Sequence, residues 1–311
     1  MTHDVTVVGA GVTGLTCALR LAEAGRKVRV LARDRLEGTT SSVAAAVWYP
    51  YKAYPYDRVL AWSQATYAEL VALADRDPAA GVRLRRGTEW LRDDGPDPWW
   101  AAAVPDLVKV HDAPPGLAVG WRFTAPVVDM SRYLPWLEAR LAAHGVEPRW
   151  ADLDDLAEID GTVVDCAGLG ARALVGDASV TPVRGQVVVV EQLGLDEWVV
   201  DDGDGRALTY VVPRIDDVVV GGTADEGADD LAVDPATASA ILERATALVP
   251  ELAGARVLRH KVGLRPARPT VRLEAERRDD RTVVHCYGHG GAGVTLSWGC
   301  AADVASLVGA A

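Results

Sequence analysis

The sequence predicts an α/β protein that begins with a nucleotide-binding unit. A β-branched run from Asp4 to Val8 is followed at once by the glycine-rich turn Gly9 to Gly14. Apolar residues then recur at helical spacing from Leu15 to Ala22, and a second strand-like run spans Lys27 to Ala32. Strand, glycine turn, helix and strand in this order are typical of a Rossmann-like domain. Later short strands separated by turns predict a second domain on a mixed or antiparallel β-sheet.

The three glycines of the turn have separate physical tasks. Gly9 permits a tight turn, Gly11 lets backbone N–H groups approach a pyrophosphate, and Gly14 lets the helix pack closely on the strand. The helix N-terminus adds partial positive charge for the phosphates. The alternative is a glycine-rich bend without a ligand. Because only one such fingerprint is present, a protein that binds a single nucleotide is favoured.

An acidic side chain at the end of the second strand should contact the ribose of the nucleotide. Asp34 is the candidate, with Arg33 beside it. The alternative for both residues is a solvated loop.

Periodicity and turn residues predict the later elements. The stretch from Asp93 to Gly116 is rich in Pro and Gly, so we expect it to be irregular, on the surface or over a site. The helix from Ala236 has Asp234 as its cap and Pro235 at its first position. Helices are predicted over Asp57 to Ala74, Ser131 to Ala143, Ala236 to Leu248 and Trp298 to Val308, and strands over Thr162 to Gly168, Gln186 to Glu191, Leu208 to Val212, Asp217 to Gly221 and Val283 to Tyr287.

Composition restricts the classes of function. The chain has 311 residues, 49% hydrophobic and 24% charged, which is an ordinary globular balance with room for two domains. Its net charge of −12 is spread along the chain and argues against a nucleic-acid partner. No leader pattern and no apolar run of ~18 residues is recognised, so we expect a cytoplasmic protein without a membrane partner. The four cysteines (Cys17, Cys166, Cys286 and Cys300) form no CxxC pair, which predicts buried free thiols rather than disulfides or metal ligands.

Five stretches, in the same order along the chain, resemble the D-amino acid oxidase family. They are Thr39 to Tyr51, Arg184 to Gln186, Thr209 to Pro213 with Gly221 to Thr223, Gly263 to Pro269, and Tyr287 to Thr295 followed by Trp298-Gly299. The resemblance covers nearly the whole chain. It implies a glutathione-reductase-like FAD-binding domain with a substrate domain, and FAD bound non-covalently. The implied activity is oxidation of D-amino acids to 2-oxo acids by oxygen, with release of ammonia and hydrogen peroxide.

The resemblance also implies roles for single residues. Arg265 would bind the substrate carboxylate, Tyr210 would share that carboxylate through its hydroxyl, and the carbonyl of Gly291 would face the substrate amino group. Trp150 and Ala167 align loosely with the adenine end of FAD. The implied cofactor-binding set comprises Gly9, Ala10, Gly11, Val12, Thr13, Gly14, Arg33, Asp34, Thr39, Thr40, Ser41, Ala46, Val47, Trp150, Ala167, Gly290, Gly291, Ala292, Gly293, Val294 and Thr295.

General chemistry supports these roles independently. A planar guanidinium grips a carboxylate through two parallel charge-assisted hydrogen bonds, which fixes orientation as well as position. The α-C–H can then point at the flavin N5, and the face of Cα that is presented decides D over L. Since the flavin accepts the hydride, the protein needs orientation more than a strong acid or base. His289, in the glycine-rich loop, is therefore interpreted as structural, and no metal constellation is recognised.

Departures from the family pattern bear on the substrate. Mammalian members carry a second active-site tyrosine four residues before the position of Tyr210, where this chain has Arg206, so we expect a more open site with easier product release. D-aspartate oxidases place an extra arginine just after the Gly-Gly-Thr turn, where this chain has Ala224. Neutral D-amino acids are therefore expected. Arg206 and Arg214 are left open as solvated loop charges or as contacts to an acidic substrate.

Two other classes remain open at this point. One is an oxidase of the same fold that acts on acidic D-amino acids, glycine or N-methyl amino acids. The other is a nucleotide-binding module without catalysis. The predicted FAD-binding domain comprises residues 1–56, 129–181 and 262–311, and the predicted substrate domain 57–128 and 182–261. The expected partners are a D-amino acid and oxygen, with a homodimer left open.

Overall fold

Two β-sheets and the helices around them make up the protein. A computed structural model describes residues 3–203, 208–278 and 281–310. The mixture of sheets and helices confirms the predicted α/β class. The helices are α1 (Val12–Glu23), α2 (Tyr56–Arg76), α3 (Met130–Ala143), α4 (Ala171–Leu174), α5 (Pro235–Leu248) and α6 (Gly293–Ala310). The strands are β1 (Val5–Val8), β2 (Val28–Ala32), β3 (Val82–Leu91), β4 (Val108–Val110), β5 (Val119–Val128), β6 (Arg149–Trp150), β7 (Thr162–Asp165), β8 (Thr181–Glu191), β9 (Trp198–Asp201), β10 (Thr209–Pro213), β11 (Asp217–Gly221), β12 (Asp225–Glu226), β13 (Val257–Ala267), β14 (Arg272–Arg278) and β15 (Arg281–Tyr287).

The first sheet is built around the N-terminal strand. Its order is β14-β15-β7-β1-β2-β6, and each neighbouring pair is parallel except β14 with β15. Strands β1 and β7 are almost entirely buried and rich in valine, as expected for parallel strands covered on both faces. Helix α1 packs against α3 and α6, and α6 also packs against α2. This sheet places the glycine turn after β1 at the C-terminal ends of the parallel strands.

The second sheet is mixed. Its order is β12-β8-β11-β10-β9-β3-β5-β4, and β13 pairs with β8 as well. Every pair is antiparallel except β3 with β9, which is parallel. Helix α5 packs on β8, β10 and β11, over a separate valine-rich core. The predicted second sheet is therefore present, with one parallel pair.

The observed bounds differ from the predicted ones where the local pattern is ambiguous. Helix α6 was predicted from Trp298 and begins at Gly293, so the end of the glycine-rich loop is already helical. The Asp234 cap is confirmed, because its carboxylate accepts the backbone N–H groups of Ala236 and Thr237. Strand β14 was not predicted, because five of its seven residues are charged and its apolar alternation is limited to Leu273 and Ala275. It lies at the edge of the sheet.

One predicted domain boundary falls inside a strand. The strands of the first sheet lie within residues 5–32, 149–165 and 272–287. Strand β13 crosses residue 262 and stays paired with β8 from Val257 to Ala267. Residues 262–267 therefore lie in the second sheet, contrary to the boundary expected from the sequence.

The irregular region between Asp93 and Gly116 contains only short elements. These are the strand β4 and a 3₁₀ turn over Ala101–Ala103. Trp100 of this region is buried, and its ring contacts the rings of Tyr49 and Phe123 at centroid distances of 5.7 and 5.0 Å. The region thus packs over Tyr49.

The C-terminal helix corrects one expectation. Helix α6 has 18 residues with a mean hydropathy of 1.2, so by length and composition it could cross a membrane. More than half of it (56%) is buried inside the protein, where it contacts α1 and α2. Core helices of proteins can meet the same criteria of length and hydropathy, and the burial of α6 is that of a core helix.

Candidate active site

A cavity of about 770 Å³ lies between the two sheets. It begins at the C-terminal ends of β1, β2 and β7, where ligands of open α/β sheets bind, and continues to the face of β8, β9, β10 and β13. Of the residues expected to bind cofactor or substrate, three do not line it: Gly14, Trp150 and Ala292. Those that line it are Gly9, Ala10, Gly11, Val12, Thr13, Arg33, Asp34, Thr39, Thr40, Ser41, Ala46, Val47, Ala167, Tyr210, Arg265, Gly290, Gly291, Gly293, Val294 and Thr295.

The glycine turn is packed so tightly that side chains are excluded. Gly9 has a φ of 110°, and a Cβ on it would lie 2.4 Å from the carbonyl oxygen of Cys166. A Cβ on Gly14 would lie 2.0 Å from the carbonyl oxygen of Gly9. Gly14 therefore serves the approach of α1 to β1, which explains why it does not line the cavity.

Hydroxyl residues lie at the N-terminus of α1. Ser41 Oγ accepts a hydrogen bond from the Val12 backbone N–H at 3.0 Å, and a Cβ on Gly11 would lie 3.2 Å from the same oxygen. Thr40 Oγ1 donates to the Leu264 carbonyl at 2.8 Å, which ties this loop to β13. The backbone N–H groups of the helix start and two hydroxyls thus meet at one wall of the cavity.

The end of β2 carries a charged pair. Arg33 Nη2 lies 2.8 Å from Asp34 Oδ2, and this hydrogen bond raises the pKa of Arg33. Both residues line the cavity and are also exposed to solvent. Trp150, expected at the adenine end, lies on the edge strand β6 with its ring 5.1 Å from the Arg35 guanidinium carbon, and residues 151–154 line the cavity instead.

These features fit the cofactor that the resemblance implies. A glycine turn without room for Cβ atoms, a helix N-terminus and an acidic residue at the end of β2 are what a dinucleotide pyrophosphate and ribose require. The cavity is long enough to join this turn to Tyr210 and Arg265 in the second sheet. FAD would therefore have its phosphates at Gly11 and Ser41.

Arg265 and Tyr210 meet at the other end of the cavity. Arg265 Nη1 donates to the Thr223 carbonyl at 2.9 Å, and its guanidinium lies close enough to the Tyr210 hydroxyl to affect the pKa of that group. Burial raises the pKa of Tyr210, and the nearby guanidinium opposes that rise. Within residues 3–203, 208–278 and 281–310, no carboxylate forms an ion pair with Arg265. The guanidinium is thus positioned to receive a carboxylate from outside the chain.

Glycines make the room for these two side chains. A Cβ on Gly185 of β8 would lie 2.5 Å from Arg265 Nη1, and one on Gly221 of β11 would lie 2.0 Å from Tyr210 Cζ. A Cβ on Gly291 would lie 3.0 Å from Tyr51 Cδ1 and 3.7 Å from Arg265 Cδ. Gly291 therefore lies next to both Tyr51 and Arg265 at this end of the cavity.

The loop before α6 connects to the segment from Ala44 to Tyr51. Thr295 Oγ1 accepts from the Tyr49 N–H at 3.1 Å and donates to the Tyr49 carbonyl at 3.0 Å. Residues 290, 291 and 293–295 line the cavity, and Ala292 is buried behind them. The N-terminus of the 18-residue helix α6 thus opens onto the cavity, where it favours negative charge.

Sequence reasoning missed a buried pair beside this loop. The hydroxyl of Tyr49 donates a short hydrogen bond to Glu89 Oε1. Burial raises the pKa of Glu89 to about 7, and Asp202 adds to that rise, while the bond from Tyr49 opposes it. Glu89, Val200 and Tyr210 occupy paired positions on β3, β9 and β10, which places Glu89 in the same row of the sheet as Tyr210. A lone glutamate in a charged stretch gives no sequence signal for this role.

Of three other residues singled out in the sequence, Arg214 and His289 lie within the part of the chain that the structure describes. Arg214 is buried and bonded to Asp217 at 2.7 Å, outside the cavity, so neither a solvated charge nor a substrate contact describes it. Arg206 lies outside the described residues. His289 is buried and lines the cavity, with Nε2 at 3.9 Å from Cys286 Sγ.

Comparisons with known proteins agree with this geometry. A family model described as FAD dependent oxidoreductase matches residues 4–307. The chain is 51% identical to a D-amino-acid oxidase from Rubrobacter xylanophilus, covering 98% of this chain and 95% of that protein. It is 47% identical to a D-amino-acid oxidase from Streptomyces coelicolor, covering 98% and 96%. Among solved structures, glycine oxidase from Geobacillus kaustophilus superposes with a TM-score of 0.84 at 21% identity, covering 99% of this chain and 95% of that one.

Proposed function

The chain belongs to the D-amino acid oxidase family of FAD-dependent oxidoreductases, and on that basis we propose that it deaminates D-amino acids with neutral side chains. The observation that carries the proposal is the Arg265 guanidinium. It lies inside the cavity beside the Tyr210 hydroxyl and is held by the Thr223 carbonyl. A carboxylate is the partner that this planar group binds best.

The chain's own residues orient the substrate. Arg265 and Tyr210 hold the carboxylate, and the carbonyl of the neighbouring Gly291 accepts a hydrogen bond from the amino group. With two of its substituents fixed, Cα presents one face, and this selects the D enantiomer. FAD, when bound, accepts the hydride from Cα and passes the electrons to oxygen, which leaves as hydrogen peroxide.

The wall near Tyr210 supports neutral side chains. Val47, Val200 and Leu208 are apolar and line the cavity there, and Asp202 is the acidic residue among its lining on β9 and the loop that follows. A second carboxylate on the substrate would approach Asp202, and like charges in a poorly solvated site repel. Arg214 does not offset this repulsion, because its guanidinium is already paired with Asp217.

A substrate panel tests the proposal. Peroxide release should be measured with D-alanine, D-valine, D-methionine, D-aspartate, glycine and N-methylglycine, with the L enantiomers as controls. We expect kcat/KM for the best neutral D-amino acid to exceed that for D-aspartate at least tenfold, about 1.4 kcal/mol. A preference for D-aspartate, glycine or N-methylglycine would overturn the assigned substrate class. A yellow protein whose flavin is never bleached by any of them would contradict catalysis altogether.

We also propose that FAD is bound without a covalent bond. None of the residues matched to the family's flavin contacts is a cysteine or histidine. Acid precipitation should therefore release the flavin into the supernatant. Yellow colour that stays in the washed pellet would show a covalent link.

A further inference from the structure

The four cysteines of the chain meet at one place. Cys17 lies on α1, Cys166 follows β7, Cys286 lies in β15 and Cys300 lies on α6. All four are buried and carry no disulfide bond. The Cys286 sulfur belongs to two sets of possible metal-binding atoms. The first set contains the sulfurs of Cys17, Cys166 and Cys286, and the second contains the sulfurs of Cys286 and Cys300 with a ring nitrogen of His289.

The second set has the donors and the spacing of a zinc site. The sulfurs of Cys286 and Cys300 and a ring nitrogen of His289 all lie within 4.8 Å of one another. Around a tetrahedral zinc ion, with Zn–S of about 2.3 Å and Zn–N of about 2.0 Å, ligand atoms are roughly 3.5–3.8 Å apart. The three side chains can therefore close around one ion with movements on the order of an ångström.

Net charge distinguishes the two sets. A divalent ion with two thiolates and a neutral imidazole forms a neutral unit, whereas three thiolates leave one negative charge in a buried place. Burying an unpaired charge is costly, which favours the set with His289.

The cavity supplies an entry path and a fourth ligand. Cys286 and His289 both line the cavity, while Cys300 is fully buried behind them. Zinc with three protein ligands takes water in its fourth position. Because two of the three ligands lie at the wall of the cavity, an ion can reach them from it and take a water molecule as its fourth ligand.

We propose that Cys286, His289 and Cys300 bind a zinc ion, with a water molecule as the fourth ligand. Binding replaces two thiol protons by two Zn–S bonds and releases both protons, so no oxidant or reductant is needed. The ion would tie β15, the loop after it and α6 together next to the flavin site. The structure confirms the prediction that the four cysteines are buried free thiols, and the proposal adds a metal-binding role for two of them and for His289. The site does not depend on the proposed substrate.

Zinc content tests the proposal. The full-length protein should be produced in zinc-supplemented medium, so that the ion is present while the chain folds, and passed over a chelating resin before elemental analysis. We expect about one zinc per polypeptide in the wild type and less than a tenth in Cys300→Ser and Cys286→Ala. Cys166→Ser is the matched control, a buried thiol of the same cluster outside the proposed set, and should keep its zinc. The FAD content of each variant shows whether it is folded. If Cys300→Ser loses FAD, Cys300→Val replaces it in the experiment, because valine is similar in size to cysteine.

X-ray absorption at the zinc edge of the wild type gives a readout without any substitution. Two sulfurs at about 2.3 Å and one imidazole nitrogen at about 2.0 Å are expected. Zinc below a tenth per polypeptide in the wild type would overturn the proposal. Equal zinc content in the wild type and in Cys300→Ser would also overturn it. Loss of zinc from Cys166→Ser with retention in Cys300→Ser would overturn it as well, because the ion would then belong to the set of Cys17, Cys166 and Cys286.

Discussion

At the scale of single residues, small neighbours position the large functional side chains. Arg265 crosses over Gly185, and the ring of Tyr210 lies over Gly221, in each case where a Cβ would collide. The Thr223 carbonyl then fixes one guanidinium nitrogen. Orientation at this site therefore comes from packing against backbone, which moves little.

The role assigned to Arg265 can be tested by removing its charge. In Arg265→Leu we expect FAD binding and the flavin spectrum to persist, because the phosphates lie at the other end of the cavity. Loss of a buried partner of a carboxylate costs about 3–5 kcal/mol, so kcat/KM for D-amino acids should fall roughly 10²–10⁴-fold. Arg265→Lys should restore little, since a point charge lacks the two-pronged geometry. Kinetics should be normalised to bound flavin.

Arg259→Leu is the matched control on the same strand. Arg259 is 43% exposed and pairs with Asp217, away from the cavity. Its activity per flavin should match the wild type. If Arg265→Leu keeps its activity per flavin and only unfolds more easily, Arg265 holds the loop and does not bind substrate.

The buried pair of Tyr49 and Glu89 predicts a pH dependence of stability. Burial raises the pKa of Glu89 to about 7 from its ordinary value near 4.5, so the folded state holds this proton more tightly than the unfolded state does. The contribution to the free energy of unfolding is fully present below about pH 4.5 and is lost as pH rises through 7, by about 3 kcal/mol. Glu89→Gln keeps an acceptor for the Tyr49 hydroxyl and should lack this loss.

Chemical denaturation of wild type and Glu89→Gln at pH 5 and pH 8 measures the effect. We expect the variant to be the more stable of the two at pH 8, with a smaller gain at pH 5. Glu243→Gln, an exposed position on α5, is the control. Parallel pH dependence in the wild type and Glu89→Gln would show that Glu89 titrates at an ordinary pKa.

At the scale of elements, the cofactor end depends on the contact between α1 and β1. Gly9 and Gly14 allow this contact, and the Ser41 hydroxyl bonds to the first turn of α1. Helix α1 also packs against α3 and α6. A displacement of α1 would therefore shift both the cavity wall and the core of the first sheet.

Gly14→Ala should displace α1. The added Cβ would lie 2.0 Å from the Gly9 carbonyl oxygen, which is backbone and cannot rotate away. Overpacking in a well-filled core costs typically about 1–3 kcal/mol, so we expect a lower Tm and a reduced ratio of FAD to protein. Gly95→Ala, with open space around it, is the control and should leave both unchanged. An unaltered FAD ratio in Gly14→Ala would contradict the close packing.

Elements with a local pattern could be predicted, and contacts between distant elements could not. The βαβ unit and the Asp234 cap follow from short-range rules, and the structure contains both. Tyr49, which hydrogen-bonds to Glu89, is 40 residues away in the sequence. Gly185 leaves room for Arg265 only because β13 pairs with β8. Cys286, His289 and Cys300 fit no CxxC spacing, so only the fold shows that they meet.

At the scale of the whole molecule, the cavity joins the two sheets. The glycine turn belongs to the first sheet, while Tyr210 and Arg265 belong to the second. A ligand that fills the cavity contacts both, so its binding energy opposes separation of the two layers. The stability of the molecule should therefore depend on the cofactor.

Excess FAD should raise the Tm. A ligand at 100 times its Kd that binds only the folded state contributes about 2.7 kcal/mol, which corresponds to several degrees. Riboflavin, which lacks the pyrophosphate and adenosine, reaches only part of the cavity and should give a smaller shift. Equal shifts with both compounds would show that the glycine turn contributes nothing to binding.

The position of α6 at the end of the chain sets the timing of cofactor capture during protein synthesis. The strands β14 and β15 and the helix α6 come after every other element, yet β15 lies beside β7 in the first sheet and α6 lies against α1. Until residues 272–310 have been made, the N-terminal βαβ unit has no cover on that side, and residues 290–295 of the cavity wall do not yet exist. A nascent chain that lacks these residues cannot complete the site, and the face of α1 that α6 covers stays exposed until they are made. We therefore expect full FAD binding only by chains that already contain residues 272–310.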